Sequence, residues 1–147
     1  MDKVSEKILF LLKSNPGYVS GEQMSHYLSI SRCAIWKHIK ELRDSGYTIE
    51  AVPHLGYRLL KLPDKLLPYE ITYNLATNFM GKKIYYFETV TSTMDIAHNL
   101  AKQGEPEGTV VVAESQTRAR GRLKRKWFCW RYKGLYFSFI LRPQIHP

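Results

Sequence analysis

The densest group of side chains that could do chemistry lies between residues 114 and 127, which read Glu-Ser-Gln-Thr-Arg-Ala-Arg-Gly-Arg-Leu-Lys-Arg-Lys-Trp. Within it, Gly121 separates the guanidinium groups of Arg120 and Arg122. Such a pair suits a phosphate, because each guanidinium can donate two parallel hydrogen bonds and the glycine lets both converge. No Gly-Lys-Ser/Thr sequence occurs, which argues against a Walker-type nucleotide loop. A nucleic-acid patch and a solvated charge run remain open.

A second group of cations lies earlier in the chain. Apolar residues recur at helical spacing at Ile35, Ile39 and Leu42. A basic stripe lies away from them, so one helix face would pack while another carries positive charge; its members are Arg32, Lys37, Lys40 and Arg43. Such a helix can enter the major groove of DNA, where long donors reach base edges and cations reach phosphates. The solvated face of an ordinary amphipathic helix shows the same pattern and is an equal alternative.

Local signals make this helix the third element of an N-terminal segment. A first helix ends before the Asn-Pro-Gly at 15–17. Ser20 and Gln23 form a capping box that begins the second helix, and Ser31 caps the third. Alternating apolar and polar residues on either side of a turn at 53–56 predict a two-stranded wing.

Residues 31–43 (Ser-Arg-Cys-Ala-Ile-Trp-Lys-His-Ile-Lys-Glu-Leu-Arg), with Gly-Tyr at 46–47 and Gly-Tyr-Arg-Leu at 56–59, carry a family resemblance. They resemble the winged helix-turn-helix that begins the bifunctional biotin operon repressor and biotin protein ligase family. The resemblance implies that residues 1–62 form a domain that binds operator DNA of biotin synthesis genes. The DNA-contacting residues that it implies are Ser31, Arg32, Cys33, Trp36, Lys37, Lys40 and Arg58.

The rest of the chain predicts a second, mixed segment. Two prolines within residues 63–68 indicate a linker, and we assign residues 63–80 to the linker and the start of a second domain. Ser92 and Asp95 predict a capping pair at the start of a helix. The predicted elements are a weak helix at 71–75, a strand at 84–87, a helix at 91–102, and strands at 109–113 and 135–141. This order indicates an α+β fold.

Short motifs in this segment resemble the opening half of the biotin protein ligase catalytic domain, a class II synthetase-like α/β domain. They are Ser92-Thr93, Val-Ala-Glu at 112–114, Gln116-Thr117, Arg120-Gly121-Arg122, Arg-Lys-Trp at 125–127 and Gly-Leu-Tyr-Phe-Ser at 134–138. The resemblance implies an incomplete ligase domain over residues 81–147. It also implies biotin and ATP as substrates, Mg²⁺ with the ATP, biotinyl-5′-AMP as the intermediate, and a lysine of a biotin carboxyl-carrier protein as the acceptor.

The resemblance further assigns the ligand contacts. Biotin and the adenylate would be bound by Ser92, Thr93, Met94, Gln116, Arg120, Gly121, Arg122 and Trp127. Several positions depart from the family pattern: Met94 stands where the family has asparagine, and Ala119 and Lys124 replace two glycines of the loop. Cys129-Trp130 replaces a Ser-Pro.

The catalytic lysine of the family lies in a Lys-Trp-Pro-Asn-Asp motif, and no proline of this chain is followed by asparagine. We therefore assign no catalytic residue and interpret the chain as the N-terminal portion of a repressor and ligase that does not ligate biotin alone. Two alternatives stay open. One is a ligase made active by complementation with a second chain, and the other is a DNA-binding regulator that ignores ligand and uses its second domain to form a homodimer.

Composition and charge exclude other classes. The 147 residues are 44% hydrophobic and 24% charged, which is typical of a globular protein. The absence of a long apolar run and of a signal peptide predicts a cytoplasmic protein without a membrane span. Cys33, Cys129 and the scattered histidines give neither a disulfide framework nor a metal site. The net charge of +9 resides in residues 118–147, which hold nine Lys and Arg residues and no Asp or Glu.

Overall fold

A computed structural model describes residues 2–121, 123 and 125–144 of the chain. The chain divides into two compact units, Met1–Asp64 and Lys65–Pro147. Helices and strands occur in both, which confirms the predicted α+β class. In the described part of the chain, none of the helices combines the length and the hydropathy needed to cross a bilayer.

The first unit is a three-helix bundle followed by a hairpin. Its elements are α1 (Lys3–Ser14), α2 (Gly21–Leu28), α3 (Arg32–Asp44), β1 (Thr48–Val52) and β2 (Gly56–Lys61), and β1 pairs antiparallel with β2. Apolar residues at helical spacing meet between the helices because burying them removes their surface from water. The buried side chains of the three helices include Ile8, Leu9, Leu12, Met24, Ile35, Ile39 and Leu42.

Both helix caps predicted for the first unit are confirmed. The amide of Gln23 donates to Ser20 Oγ over 3.0 Å, and the amide of Ser20 donates to Gln23 Oε1 over 3.0 Å, which completes the capping box. At α3, the amide of Ala34 donates to Ser31 Oγ over 3.1 Å. These side chains satisfy N–H groups that the first turn of a helix leaves without partners.

Gly56 joins the hairpin to the segment between α1 and α2. Val19 and Tyr57, the residue that follows Gly56, exchange two backbone hydrogen bonds of 2.9 Å. The backbone of Gly56 has a φ of +111°, and a Cβ there would lie 2.6 Å from the Cα of Ser20. Only glycine fits both the conformation and this close approach.

The second unit packs a helix on a small sheet. Its elements are α4 (Pro68–Thr72), β3 (Ile84–Phe87), α5 (Thr93–Lys102), β4 (Val110–Ala113) and β5 (Tyr136–Phe139). The helix predicted at 71–75 begins three residues earlier, because Pro68 suits the first turn of a helix. The core joins Ala97 of α5 to Val111 of β4 and to Ile140.

The sheet topology brings two loops together. The strand order is β3-β4-β5, with β3 parallel to β4 and β5 antiparallel to it. Phe87 and Ala113 end the two parallel strands in register, so the segments that follow them leave the same edge of the sheet. This edge carries Ser92 and Thr93 on one segment and Gln116 on the other.

Candidate DNA-binding and ligand-binding sites

The exposed face of α3 carries most of the residues predicted to contact DNA. Ile35, Ile39 and Leu42 bury the opposite face against the bundle. The ammonium of Lys40 lies 5.9 Å from the centroid of the Trp36 ring, a distance at which a cation is attracted to the face of an indole. The exposed residues are Ser31, Arg32, Cys33, Trp36, Lys37 and Lys40.

A cleft of about 740 Å³ lies at the start of this helix. Arg32 and Cys33 border it from α3, Gly21 and Glu22 border it from α2, and His54 borders it from the turn of the hairpin. The positive ends of two helix dipoles and a guanidinium therefore meet beside the wing and favour an anionic group, whereas the carboxylate of Glu22 opposes one.

Arg58 differs from the other predicted DNA contacts because its charge is paired inside the unit. Its guanidinium donates to Glu50 Oε2 over 2.9 Å and lies 4.7 Å from the centroid of the Tyr18 ring. The Tyr18 hydroxyl donates to the same carboxylate over 2.6 Å, which lowers the pKa of Glu50 and raises the pKa of Tyr18. Arg58 thus joins β2 to β1.

Arg43, the last cation of the basic stripe on α3, also has a structural contact. Its Nε and one terminal nitrogen donate to the carbonyl oxygen of Ile49 over 2.9 and 2.6 Å. The spacing of Arg43 is that expected of a DNA contact, but its side chain joins α3 to β1.

In the second unit, Gln116 and Thr93 meet at the start of α5. The backbone N–H of Thr93 donates to Gln116 Oε1 over 2.8 Å, and the Thr93 hydroxyl lies 3.2 Å from the same oxygen. The predicted capping pair of Ser92 and Asp95 is wrong: the Ser92 side chain makes no cap hydrogen bond. The side chain of Gln116, from a distant loop, accepts from the N–H of Thr93, the first residue of the helix.

Gln116, Arg120 and Trp127 line one cleft of about 860 Å³ in the second unit. Gln116 Nε2 donates to Cys129 Sγ over 3.6 Å within it. Ser92 and Thr93 are buried instead, with 2% and 3% of their surface exposed. Met94 is exposed but does not border the cleft. Arg122, also predicted, lies outside the described residues.

The basic segment, residues 118–133, doubles back on itself beside this cleft. The Gly121 amide donates to the Arg125 carbonyl over 2.8 Å, and the Trp127 amide donates to the Ala119 carbonyl over 3.2 Å. A Cβ at Gly121 would lie 2.8 Å from Cδ1 of Trp127. The glycine therefore lets the indole approach the backbone, a contact that the sequence motif did not indicate.

The cleft is electropositive. Arg118, Arg120 and Lys126 line it, and Asp95 is the one carboxylate among the described residues that do so. The Asp95 carboxylate forms an ion pair with the guanidinium of Arg120, and both side chains are about half exposed, at 45% and 51%. Guanidinium groups in such a place suit a phosphate or a carboxylate, which they can bind in a bidentate manner.

Comparison with known proteins identifies two matching families and several relatives of the chain. Residues 4–58 match the HTH domain family, and residues 86–147 match the biotin/lipoate A/B protein ligase family. Bifunctional ligase/repressor BirA of Bacillus subtilis (strain 168) is 46% identical over 147 residues, covering 99% of this chain. The chain is a relative of the bifunctional ligase/repressors. The resemblance that its motifs carry is therefore confirmed.

Other relatives agree with this relationship. BirA of Escherichia coli (strain K12) is 35% identical over 140 residues, which is 95% of this chain. The chain spans 45% and 42% of the length of these two ligase/repressors. A biotin protein ligase from Aquifex aeolicus, solved in complex with biotin and ATP, is 41% identical over 43% of this chain and 25% of that one, with a TM-score of 0.36. The relationship rests on sequence.

One polar cluster in the second unit was missed from the sequence. Glu88 accepts hydrogen bonds from Lys65 Nζ over 2.9 Å, from the Tyr86 hydroxyl over 3.0 Å and from the Tyr132 hydroxyl over 2.8 Å, and it pairs with Arg131. These donors, Lys65 first, lower the pKa of Glu88 to about 2, and burial raises the pKa of Tyr86. Glu88 thereby holds the end of the basic segment against the end of β3.

Proposed function

We propose that this chain is a DNA-binding repressor portion of a bifunctional biotin protein ligase. In this proposal, residues 1–62 bind operator DNA of biotin synthesis genes, and residues 63–80 form the linker and the start of the second domain. Residues 81–147 form part of a ligase domain that binds biotin and biotinyl-5′-AMP. By the family resemblance, a biotin carboxyl-carrier protein and a second copy of the chain are further partners.

The observation that carries the DNA-binding role is the exposed face of α3. Arg32, Lys37 and Lys40 are exposed on a helix whose other face is fixed by the bundle. A helix held in this way can present side chains to base edges while cations contact phosphates. Arg32 also borders the cleft beside the wing, which places a bidentate donor near a second DNA-facing element.

The DNA-binding role is tested by selecting duplexes from a randomised library with the full chain. The double variant Arg32→Ala/Lys37→Ala is expected to lose selection of the enriched sequence. The control Lys3→Ala/Lys7→Ala removes the same charge from exposed positions of α1 and should keep it. Equal loss in both variants would mean that binding follows net charge and would contradict recognition by α3.

The cleft of the second unit supports the ligand-binding role. Gln116 supplies an amide that can bond the ureido group of biotin, and Arg120 supplies a guanidinium for the carboxylate or the adenylate phosphate. Trp127 supplies an indole face for a base. We include Mg²⁺ only as the ion that accompanies ATP, because the one carboxylate among the described lining residues, Asp95, is paired with Arg120.

Titration calorimetry of the purified chain with biotin tests this role. Gln116→Ala is expected to weaken binding at least tenfold, because a ligand group bonded to the amide would lose its partner. Lys133→Ala is the control, since this cation of the basic segment is exposed and outside the cleft. Absence of heat from the wild-type chain, or equal weakening by both variants, would contradict a biotin site here.

Ligation is a separate question because we assign no catalytic lysine. Pyrophosphate release from ATP in the presence of biotin measures adenylate formation directly. The proposal expects biotin binding without sustained pyrophosphate release by this chain alone. Turnover by the chain alone would replace it with an active ligase, and turnover only after addition of a second chain would support complementation.

A further inference from the structure

We infer that Ser138 is a positioning residue of the ligand cleft and acts through Thr93 to hold Gln116 as a hydrogen-bond donor. Ser138 lies on β5, opposite Val111 of β4, and does not border the cleft itself. The inference rests on the proposed function for one point only, that biotin is the ligand of this cleft.

The first step fixes the orientation of the Gln116 amide. The atom 2.8 Å from the backbone nitrogen of Thr93 must be an acceptor, because a backbone N–H can only donate. That atom is therefore the carbonyl oxygen, and the NH₂ group is at the other end of the amide. Exchange of the two ends would place two donors against each other.

The second step fixes the direction of the hydroxyl hydrogen bonds. The Thr93 hydroxyl lies 3.2 Å from the same carbonyl oxygen, which carries no proton, so the threonine donates. Its proton is then used, and the Ser138 hydroxyl, 2.9 Å away, must donate to the threonine oxygen. Ser138 therefore donates to Thr93, and Thr93 donates to Gln116.

The burial of Thr93 maintains this direction of the hydrogen bonds. Thr93 has 3% of its surface exposed, so water has little access to its hydroxyl oxygen, which accepts the hydrogen bond from Ser138. Gln116 and Ser138 are half-buried, and in a partly buried chain of this kind each hydrogen bond polarises the next. Ser138 thus supports the orientation of a side chain that it does not contact.

The consequence is a chemical preference in the cleft. The Gln116 NH₂ is the part of the amide that remains for a ligand, and its partner here, Cys129 Sγ at 3.6 Å, is a weak acceptor. A ligand oxygen can displace that weak contact. A ligand of the same shape with an N–H in that place would oppose donor to donor, which a site built for an acceptor rejects strongly.

Biotin and 2-iminobiotin provide the test, because they differ in one non-hydrogen atom. The ureido oxygen of biotin is an acceptor, and the protonated imino group that replaces it is a donor. We measure the affinity of the full chain for both ligands at a pH where the imino compound is protonated, in the wild type, in Ser138→Ala and in Ser138→Thr. The ratio of the two affinities is the readout, since general damage to the fold would weaken both ligands alike.

The wild type is expected to prefer biotin. Ser138→Ala should reduce the ratio roughly two- to tenfold, the range expected for one hydrogen bond. Ser138→Thr keeps the hydroxyl in a strand position that favours β-branched residues and should restore it. An unchanged ratio in Ser138→Ala, with biotin still bound, would overturn the inference.

A measurement without ligand separates this inference from the proposed function. Exchange of the Thr93 amide proton, followed by NMR, reports the bond to Gln116 and should be several-fold faster in Ser138→Ala than in Ser138→Thr. If the wild type binds neither ligand, the proposed function fails, while faster exchange in the alanine variant still supports the relay. Equal exchange in both variants would refute the relay whatever the chain binds.

Discussion

Replacement of Gly56 by alanine tests how the wing is joined to the helices. A Cβ at this position would come within 2.6 Å of Ser20 Cα, and the backbone φ of +111° is unfavourable for any L-residue with a Cβ. The conformational cost is about 1–2 kcal/mol. Relief of the clash would also break the two 2.9 Å hydrogen bonds between Val19 and Tyr57, worth about 1 kcal/mol each. Gly56→Ala should therefore destabilise the first unit by about 3–4 kcal/mol.

Amide hydrogen exchange of the full chain measures this effect in the first unit alone. Peptides from α1, α2 and α3 report the free energy of opening at increasing urea concentrations. Gly17→Ala is the matched control, because nothing lies within 4 Å of a Cβ at Gly17. A difference of less than about 0.5 kcal/mol between the two variants would refute the reasoning.

Three further perturbations follow from contacts in both units. Acid should weaken the second unit, because the folded pKa of Glu88 is about 2 against an ordinary 4.5. The stabilisation is present above pH 4.5 and is lost as pH falls toward 2. The full shift would be worth ~3.4 kcal/mol, which solvent screening of a carboxylate that is 40% exposed reduces to about 1 kcal/mol. In urea unfolding, Glu88→Gln should remove this contribution and leave that of Glu105, whose pKa is lowered by its hydrogen bond from Lys83. Ser20→Ala should cost about 1 kcal/mol by urea unfolding, whereas Ser45→Ala, whose hydroxyl bonds a carbonyl of its own helix, should change stability little. Asp95→Asn should release Arg120 and tighten AMP binding about two- to fivefold by calorimetry; weaker binding would show that the ion pair helps to build the site.

The elements of the first unit could be predicted because their signals are local. Ser20, Ser31 and the apolar spacing of α3 act within a few residues, and the structure has each of them as predicted. The fates of Arg43 and Arg58 could not be predicted, since their partners depend on how β1 packs against its neighbours. A basic stripe in a sequence does not distinguish a cation that faces solvent from one that bonds a carbonyl.

The contacts in the ligand cleft could not be predicted either, because they join residues that are far apart in the sequence. The motifs around Thr93, Gln116 and Arg120 were recognised, but their contacts join residues 23 to 25 positions apart. The cap of α5 was assigned to neighbouring residues because local pairs are the commonest solution, and the parallel pairing of β3 with β4 supplied a distant amide instead. Glu88 had no sequence signal at all, since its donors come from three separate segments.

The pairing of Arg58 with Glu50 affects the number of counterions that DNA binding would release. Each cation that neutralises a phosphate releases condensed counterions and steepens the logarithmic dependence of the binding constant on salt by about 0.9. A guanidinium that already shares a carboxylate at 2.9 Å brings little net charge to the DNA. The three exposed α3 cations predicted to contact DNA, Arg32, Lys37 and Lys40, correspond to a slope of about −2.7 per chain. Loss of Arg58 should therefore leave that slope unchanged, because its guanidinium is already paired with Glu50.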